Sequence, residues 1–445
     1  MRARGAAPAC AAALLAAAAA PAGEPPSDRT RIQEILRNDT WLPYRIRSAE
    51  RWADGSAEEL LDGRAWRRFG ERIGRAGAPI HRPPAPASEI DRAEGYRYLS
   101  MLLRNALDNA IESYDPDRPR IFWNDRLNKV GLDCADALYA SAPVRDSAVY
   151  RVYGRRGTVR FLGFQLMAGQ RSVHNTHAGE LEIAADGSFE LVIGGEPRAR
   201  NWMPLPPGSD TLTLRQFFYD WEREVPASLA IERIDAGPRG VPARSDDPER
   251  LAKLLDAVAT NVEANLALWP NLAAARRAGG ANRFPQDPEI GGTAIGGQSH
   301  QASGIGYFAL AEDEALLIEV LPPQAHYWSL HLGNYWMESL DYANYKTSIN
   351  GHQAVLDADG VFRAVIAARD PGVPNWLDSA GHREGTMIYR WNLADGAPIP
   401  ETRLVKWSAL RELLPADTPE VGPAQRAAEI EARRRGVVRR MARPL

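Results

Sequence analysis

The sequence is poor in cysteine and in lysine, and beyond its first two dozen residues it has no long hydrophobic run. Two cysteines, Cys10 and Cys134, stand in 445 residues. Neither a disulfide framework nor a cysteine-ligated zinc site can be built from two thiols. Lysine occurs only at Lys129, Lys253, Lys346 and Lys406, so arginine carries most of the positive charge. The formal net charge is −3, which leaves no global basic field to attract nucleic acid. No segment after the leader approaches the roughly 20 apolar residues of a membrane-spanning helix. Internal repeats are also missing. The 44% hydrophobic and 25% charged residues give an ordinary globular balance and exclude wholesale disorder.

What is present begins with a leader. Arg2 and Arg4 precede an apolar stretch from Ala6 to Ala20, and Ala18-Ala19-Ala20 and Ala20-Pro21-Ala22 fit small-x-small cleavage sites. Residues 1–22 therefore read as a signal peptide. Cleavage would give a periplasmic or secreted protein; without it the chain stays cytoplasmic.

The body reads as mainly β with α. Residues 28–140 are assigned to a helical region. Ser56 with Glu59, and Ser88 with Asp91, resemble helix caps ahead of apolar stripes. Short strand-like runs separated by turns, Leu181–Ile183 among them, make 141–236 a middle antiparallel β domain. Asp247 and Pro248 then open a linker helix over 245–278. Several strands without alternating helices make 291–415 a jelly-roll-like β-sandwich. Residues 424–445 read as a basic helical tail, expected to be solvated, whose narrow apolar face is Val437, Val438 and Met441.

Some motifs carry no chemistry on inspection. The run Gly291–Gly297 lacks the Gly-Lys-Ser/Thr ending of a phosphate loop and precedes a strand. Gly297-Gln298-Ser299-His300-Gln301 lacks the last glycine of a nucleophile elbow. Cys134 reads as an ordinary half-buried thiol. His174 and His177, with Glu180 and Glu182 beyond, have usable metal spacing but would need a third ligand from elsewhere. No metal and no organic cofactor is assigned.

The richest stretch runs from His326 to Trp391. If 327–332 is a strand, Trp328, Leu330 and Leu332 face one way and Tyr327, Ser329 and His331 the other. Trp336, Tyr342 and Asn344 follow in a polar-aromatic loop. A second long loop carries Asp370, Asn375, Trp376, Asp378, His382 and Glu384. Aromatic plates among short polar groups suit a neutral, hydroxylated or ring-shaped ligand. The expected acid/base pair is Asp378 with His382, and Asp370 and Glu384 are further catalytic candidates. Tyr342, Asn344, Asn375, Trp376, His331 and Trp336 are the expected substrate contacts. An equally strong alternative makes Trp376 a plug in the end of the sandwich, since Asp370-Pro371-Gly372 is turn chemistry.

The run from Arg369 to Gly385, with Tyr389-Arg390-Trp391 after it, resembles the C-terminal signature of the domain-of-unknown-function 1214 family. Trp123-Asn124-Asp125 with Lys129, Tyr150–Gly154 and Phe217–Glu222 resemble the upstream part of its larger members. The resemblance implies a jelly-roll-like C-terminal sandwich behind a β-rich region with helices, and it implies no reaction. Three functions follow. One is a metal-free enzyme, a hydrolase or lyase, acting on a glycan, sterol, terpenoid or related ring compound. Another is a non-catalytic small-molecule or carbohydrate binding protein that uses the same aromatic loops. The third is an interaction scaffold, such as a homo-oligomer formed through the aromatic loops.

Overall fold

A computed structural model describes residues 53–112, 115–124, 129–236, 247–286, 289–290 and 297–442. The leader, residues 28–52 of the expected helical region, the stretch 237–246 and most of the Gly291–Gly297 run lie outside them.

Helix starts fall where side chains can cap them. Ser56 accepts from the Glu59 amide and opens α1 (Ala57–Leu61). Gly63, at φ 80°, then turns the chain into α2 (Arg64–Ala76); glycine takes that left-handed conformation without a Cβ clash. Ser88 caps α3 (Glu89–Leu107) through the Asp91 amide. Asp247 caps α4 (Pro248–Ala278), which continues through Pro270. A proline inside a helix removes one N–H, and burial of Trp269, Pro270 and Leu272 holds the turn together. These helices share an apolar core built from Phe69, Leu102, Val258 and Trp269.

Strands begin at Phe122, inside the range assigned to helix. The first group is β1 (Phe122–Trp123), β2 (Ala137–Pro143), β3 (Tyr150–Arg155), β4 (Phe161–Ala168), β5 (Arg171–His177), β6 (Ser188–Ile193), β7 (Trp202–Met203), β8 (Thr211–Phe217) and β9 (Ser228–Arg233). They form two sheets, β1-β2-β8-β4-β5 and β7-β6-β3-β9. Leu138, Leu162, Phe164 and Leu214 from the first meet Val152, Leu191, Ile193 and Ile231 from the second. Leu181–Ile183 is not a strand. His177 accepts from the Gly179 amide and turns the chain into a short 3-10 segment, Ala178–Glu180.

The second group is β10 (Glu289–Ile290), β11 (Gln301–Ala309), β12 (Glu314–Val320), β13 (Ala325–Gly333), β14 (Ser348–Asn350), β15 (Phe362–Ala367), β16 (Trp376–Asp378), β17 (Glu384–Ala394) and β18 (Glu401–Lys406). Its sheets are β10-β11-β17-β13-β14 and β16-β15-β12-β18. Trp328, Leu330 and Leu332 do face its core, against Ile318, Phe362 and Ile366. A short helix, α5 (Leu410–Leu413), closes the outer face through Leu410 and Leu414 over Val365 and Trp376.

The tail is the largest correction. α6 (Pro423–Met441) is docked, and Arg426, Arg433 and Arg440 are buried. Their seven-residue spacing puts all three on one helix face. Among the described residues no helix is long and apolar enough to cross a membrane.

The two β groups meet along a seam. Residues that alternate with the core positions line it: Phe161, Gly163 and Gln165 on β4, Thr213, Arg215 and Phe217 on β8, and Tyr327, His331, Arg390 and Asn392 on the facing sheet. The Phe217 and Tyr327 rings stack across it at 4.8 Å.

Candidate functional site

The sequence-predicted site residues do not gather in one pocket. His382 and Asp378 do not pair. His382 Nε2 lies 2.9 Å from Glu94 Oε2, and its Nδ1 lies 2.9 Å from the Ser379 carbonyl. The Asp378 carboxylate accepts from the Ala380 amide, and burial pushes its pKa up. Asp370 pairs with Arg426. Glu384 accepts from the Tyr307 hydroxyl and pairs with Arg277.

The expected substrate contacts are spent on the fold. Asn375 donates to the carbonyls of Val355 and Arg363 and accepts from the Val355 amide. Trp376 donates to the Ala367 carbonyl, lies under Arg426 and packs on the outer face of its sheet with Val365 and Leu410. Trp336 donates to the Asp91 carbonyl. Tyr342 packs edge-on to Trp221. Asn344 bonds Asp341 and Arg434 at the surface. His331 faces the seam, where Arg390 Nη1 lies 3.0 Å from its ring. Burial and the Arg390 charge push its pKa down, which keeps it neutral.

The His382–Glu94 contact is a buried ion pair. The Ser379 carbonyl can only accept, so Nδ1 donates to it. A bond from Nε2 to a carboxylate then requires the doubly protonated ring. Burial is the largest single influence and opposes that charge, but the Glu94 hydrogen bond and charge, the Ser379 carbonyl and the Asp91 charge together outweigh it and the His382 pKa is raised. Burial likewise works against Glu94 ionisation, and His382, Arg97 and Asn334 overcome it. Both ring nitrogens of His382 are engaged, one by Glu94 and the other by the Ser379 carbonyl.

The seam has the opposite character. Gln298 and Asn392 are each 0% exposed, and both ends of both amides lack a hydrogen-bond partner among the described residues. Thr213 Oγ1, Asn175 Oδ1 and His300 Nε2 are buried and unpartnered too. Gln165, Asn175 and Thr213 form one cross-strand row, with Gly163, His177 and Arg215 in the next. A Cβ at Gly163 would stand 2.6 Å from Gln298 Nε2, so the glycine is what lets that amide lie against the sheet. Gln165 donates to the Gly297 carbonyl and fixes the segment carrying Gln298 and His300. From the other side, the Leu393 amide donates to the His300 carbonyl. The His300 ring lies 5.3 Å from Phe161 and 5.5 Å from His177. Burial, with His177 and Arg215 adding to it, pushes its pKa down to about 4, so it is neutral at pH 7.

An unsatisfied buried polar group costs about 1–3 kcal/mol. Gln298 and Asn392 are therefore the costliest buried groups of the seam among the described residues. None of the seam amides was among the sequence-predicted contacts. A signal was available: Gln165 interrupts the otherwise apolar run Phe161–Met167, and Gln298 and His300 fall in the rejected elbow motif. His174 and His177 lie on β5. Among the described residues no group of three His, Cys, Asp or Glu side chains is placed to hold an ion.

The model of the family described as "Protein of unknown function (DUF1214)" matches residues 164–220 and 315–393, which cover strands on both walls of the seam. A crystal structure of an uncharacterized protein from Burkholderia cenocepacia is 40% identical, with a TM-score of 0.75; the match covers 80% of this chain and 100% of that one. A Vibrio parahaemolyticus protein of known structure is 13% identical over 70% of this chain and 98% of its own, with a TM-score of 0.43. No curated protein matches the chain.

Proposed function

The chain belongs to the domain-of-unknown-function 1214 family, which supplies no reaction, and from its own residues we propose that it binds a small neutral molecule in the seam between its two β groups. One observation carries this reading: two fully buried amides, Gln298 and Asn392, with all four polar ends unpartnered among the described residues. The side chains that suggest this, Gln298, Asn392, Thr213, Asn175 and His300, are uncharged, which favours a neutral ligand. Binding is favoured over acid/base turnover by His382, because that ring is held in an ion pair with Glu94.

The test is a thermal-shift screen of the full chain against neutral ring compounds. A ligand at 100 times its dissociation constant adds about 2.7 kcal/mol of stability. The reading predicts a shift with at least one compound, and loss of that shift in Asn392→Leu and Gln298→Leu. A shift that survives both substitutions would move the site away from the seam.

A further inference from the structure

We propose that His177, His300 and His326 form an acid-sensitive latch at one end of the seam, closed while the three rings are neutral and driven open when they take up protons. The latch does not depend on the binding reading above. The rings come from both sides of the seam. His177 is the last residue of β5 in the first β group, while His300 directly precedes β11 and His326 opens β13 in the second. All three surround the buried Phe161 ring, at 5.9, 5.3 and 6.4 Å between ring centres. His177 and His300 also meet edge to face at 5.5 Å. Two imidazolium ions at that separation, away from bulk water, repel each other.

The hydrogen bonds at this end suit the neutral rings. His326 and Arg160 clasp each other across the seam: Nε2 donates to the Arg160 carbonyl at 2.7 Å, and the guanidinium donates to the His326 carbonyl at 2.6 Å. His177 Nδ1 accepts from the Gly179 amide, and protonation there removes the accepting lone pair. The surrounding charges are already more positive than negative. Arg215 on β8 faces His300, and Arg156 and Arg160 ahead of β4 face His326. Glu180 opposes them 3.5 Å from His177 Nε2, and Glu224 offsets Arg156. Burial, then the His177 and Arg215 charges, push the His300 pKa down to about 4. Burial also leads in lowering His326 and, next on β5, His174. The folded state therefore favours uncharged rings. Their contribution is complete above the ordinary imidazole value of about 6.5 and is lost as the pH falls from there towards the lowered values.

Cys134 reports on opening. It is 1% exposed, packs in one cluster with Phe161 and Tyr327, and its Sγ lies 3.2 Å from the Tyr327 hydroxyl. The experiment treats the full chain with dithiodipyridine at pH 7.5 and at pH 5. It follows modification of the Cys134 peptide by mass spectrometry, relative to a free thiol in the same buffer, with circular dichroism recorded alongside. Acid lowers the thiolate fraction, so normalising to the free thiol isolates access. The expected result is Cys134 labelling about tenfold faster at pH 5 than at pH 7.5, with the circular dichroism unchanged, as for a local opening. His300→Gln and His177→Gln should each cut that acceleration to less than about threefold, because one proton site of the repelling pair is gone. His326→Gln is read in the same way and takes the place of either variant that does not fold at pH 7.5. No acceleration in the parent overturns the latch. Acceleration of equal size in the parent and the glutamine variants, or loss of the circular dichroism signal in all of them together, overturns it too.

Discussion

At the residue scale, His382 shows how chemistry inferred from spacing is redirected by folding. The loop supplies His382 and Asp378 four residues apart, and the sequence shows both. It does not show that Glu94, 288 positions earlier, supplies the carboxylate. The ion pair is a strap between the loop and α3, so His382→Ala should destabilise the protein by about 3 kcal/mol, the usual cost of breaking a buried pair. Urea unfolding at pH 6 checks it, and an unchanged midpoint would mean the pair contributes nothing. The pH dependence has a definite sign. His382 has a raised pKa in the folded state, so its contribution is complete below the ordinary imidazole value and is lost as pH rises through the raised one. Glu94 has a lowered pKa, so its contribution is present above the ordinary carboxylate value and is lost as pH falls through the lowered one. The stability gap between parent and His382→Ala should therefore narrow as the pH climbs from 6 towards the alkaline side.

At the element scale, α6 is the instructive case. Its arginine content made it look solvated, because charge usually faces water. Folding instead buries one arginine every second turn in a box of carbonyls and aromatic rings. Arg433 donates to the Tyr342 and Ser348 carbonyls and to the Ser348 hydroxyl, with Trp221 4.6 Å from it. Burial lowers its pKa to about 10, so it stays charged at pH 7. Arg440 lies over the Trp221 ring and donates to the Ala135 carbonyl. Gly436 permits the approach, since a Cβ there would meet Trp221 Cβ at 2.7 Å. Arg433→Leu should cost about 3 kcal/mol by stranding three acceptors, whereas Arg434→Ala, on a half-exposed side chain, should cost less than about 0.5 kcal/mol. Equal effects of the two in thermal unfolding would mean that the helix is held by something other than its buried face. The helix itself was legible in the sequence. Its docking was not, because the partners Trp221, Tyr342 and Ser348 come from distant strands and loops.

At the scale of the whole molecule, the local signals of fold were strong and the long-range ones silent. Caps at Ser56, Ser88 and Asp247 marked where helices start, and the alternation on β13 marked which side of the strand is core. The same alternation named the seam side, Tyr327 and His331, without saying what would face it. A seam between two sheet groups is created by pairing residues more than a hundred positions apart, such as Phe217 with Tyr327, and no local pattern encodes that. The expected site lies in the aromatic loops, whose side chains make the hydrogen bonds described above, while the amides without partners among the described residues sit between the sheets.

The measurement that tests this account most directly is the equilibrium urea unfolding of a Gln298→Leu/Asn392→Leu double variant without any added ligand. If the amides are kept for an occupant and not for the fold, exchanging them for apolar groups of similar size removes a desolvation cost. The account predicts stability unchanged or raised by about 1–2 kcal/mol. A loss of more than about 2 kcal/mol would mean that these amides hold the fold together and that the seam is not a binding site.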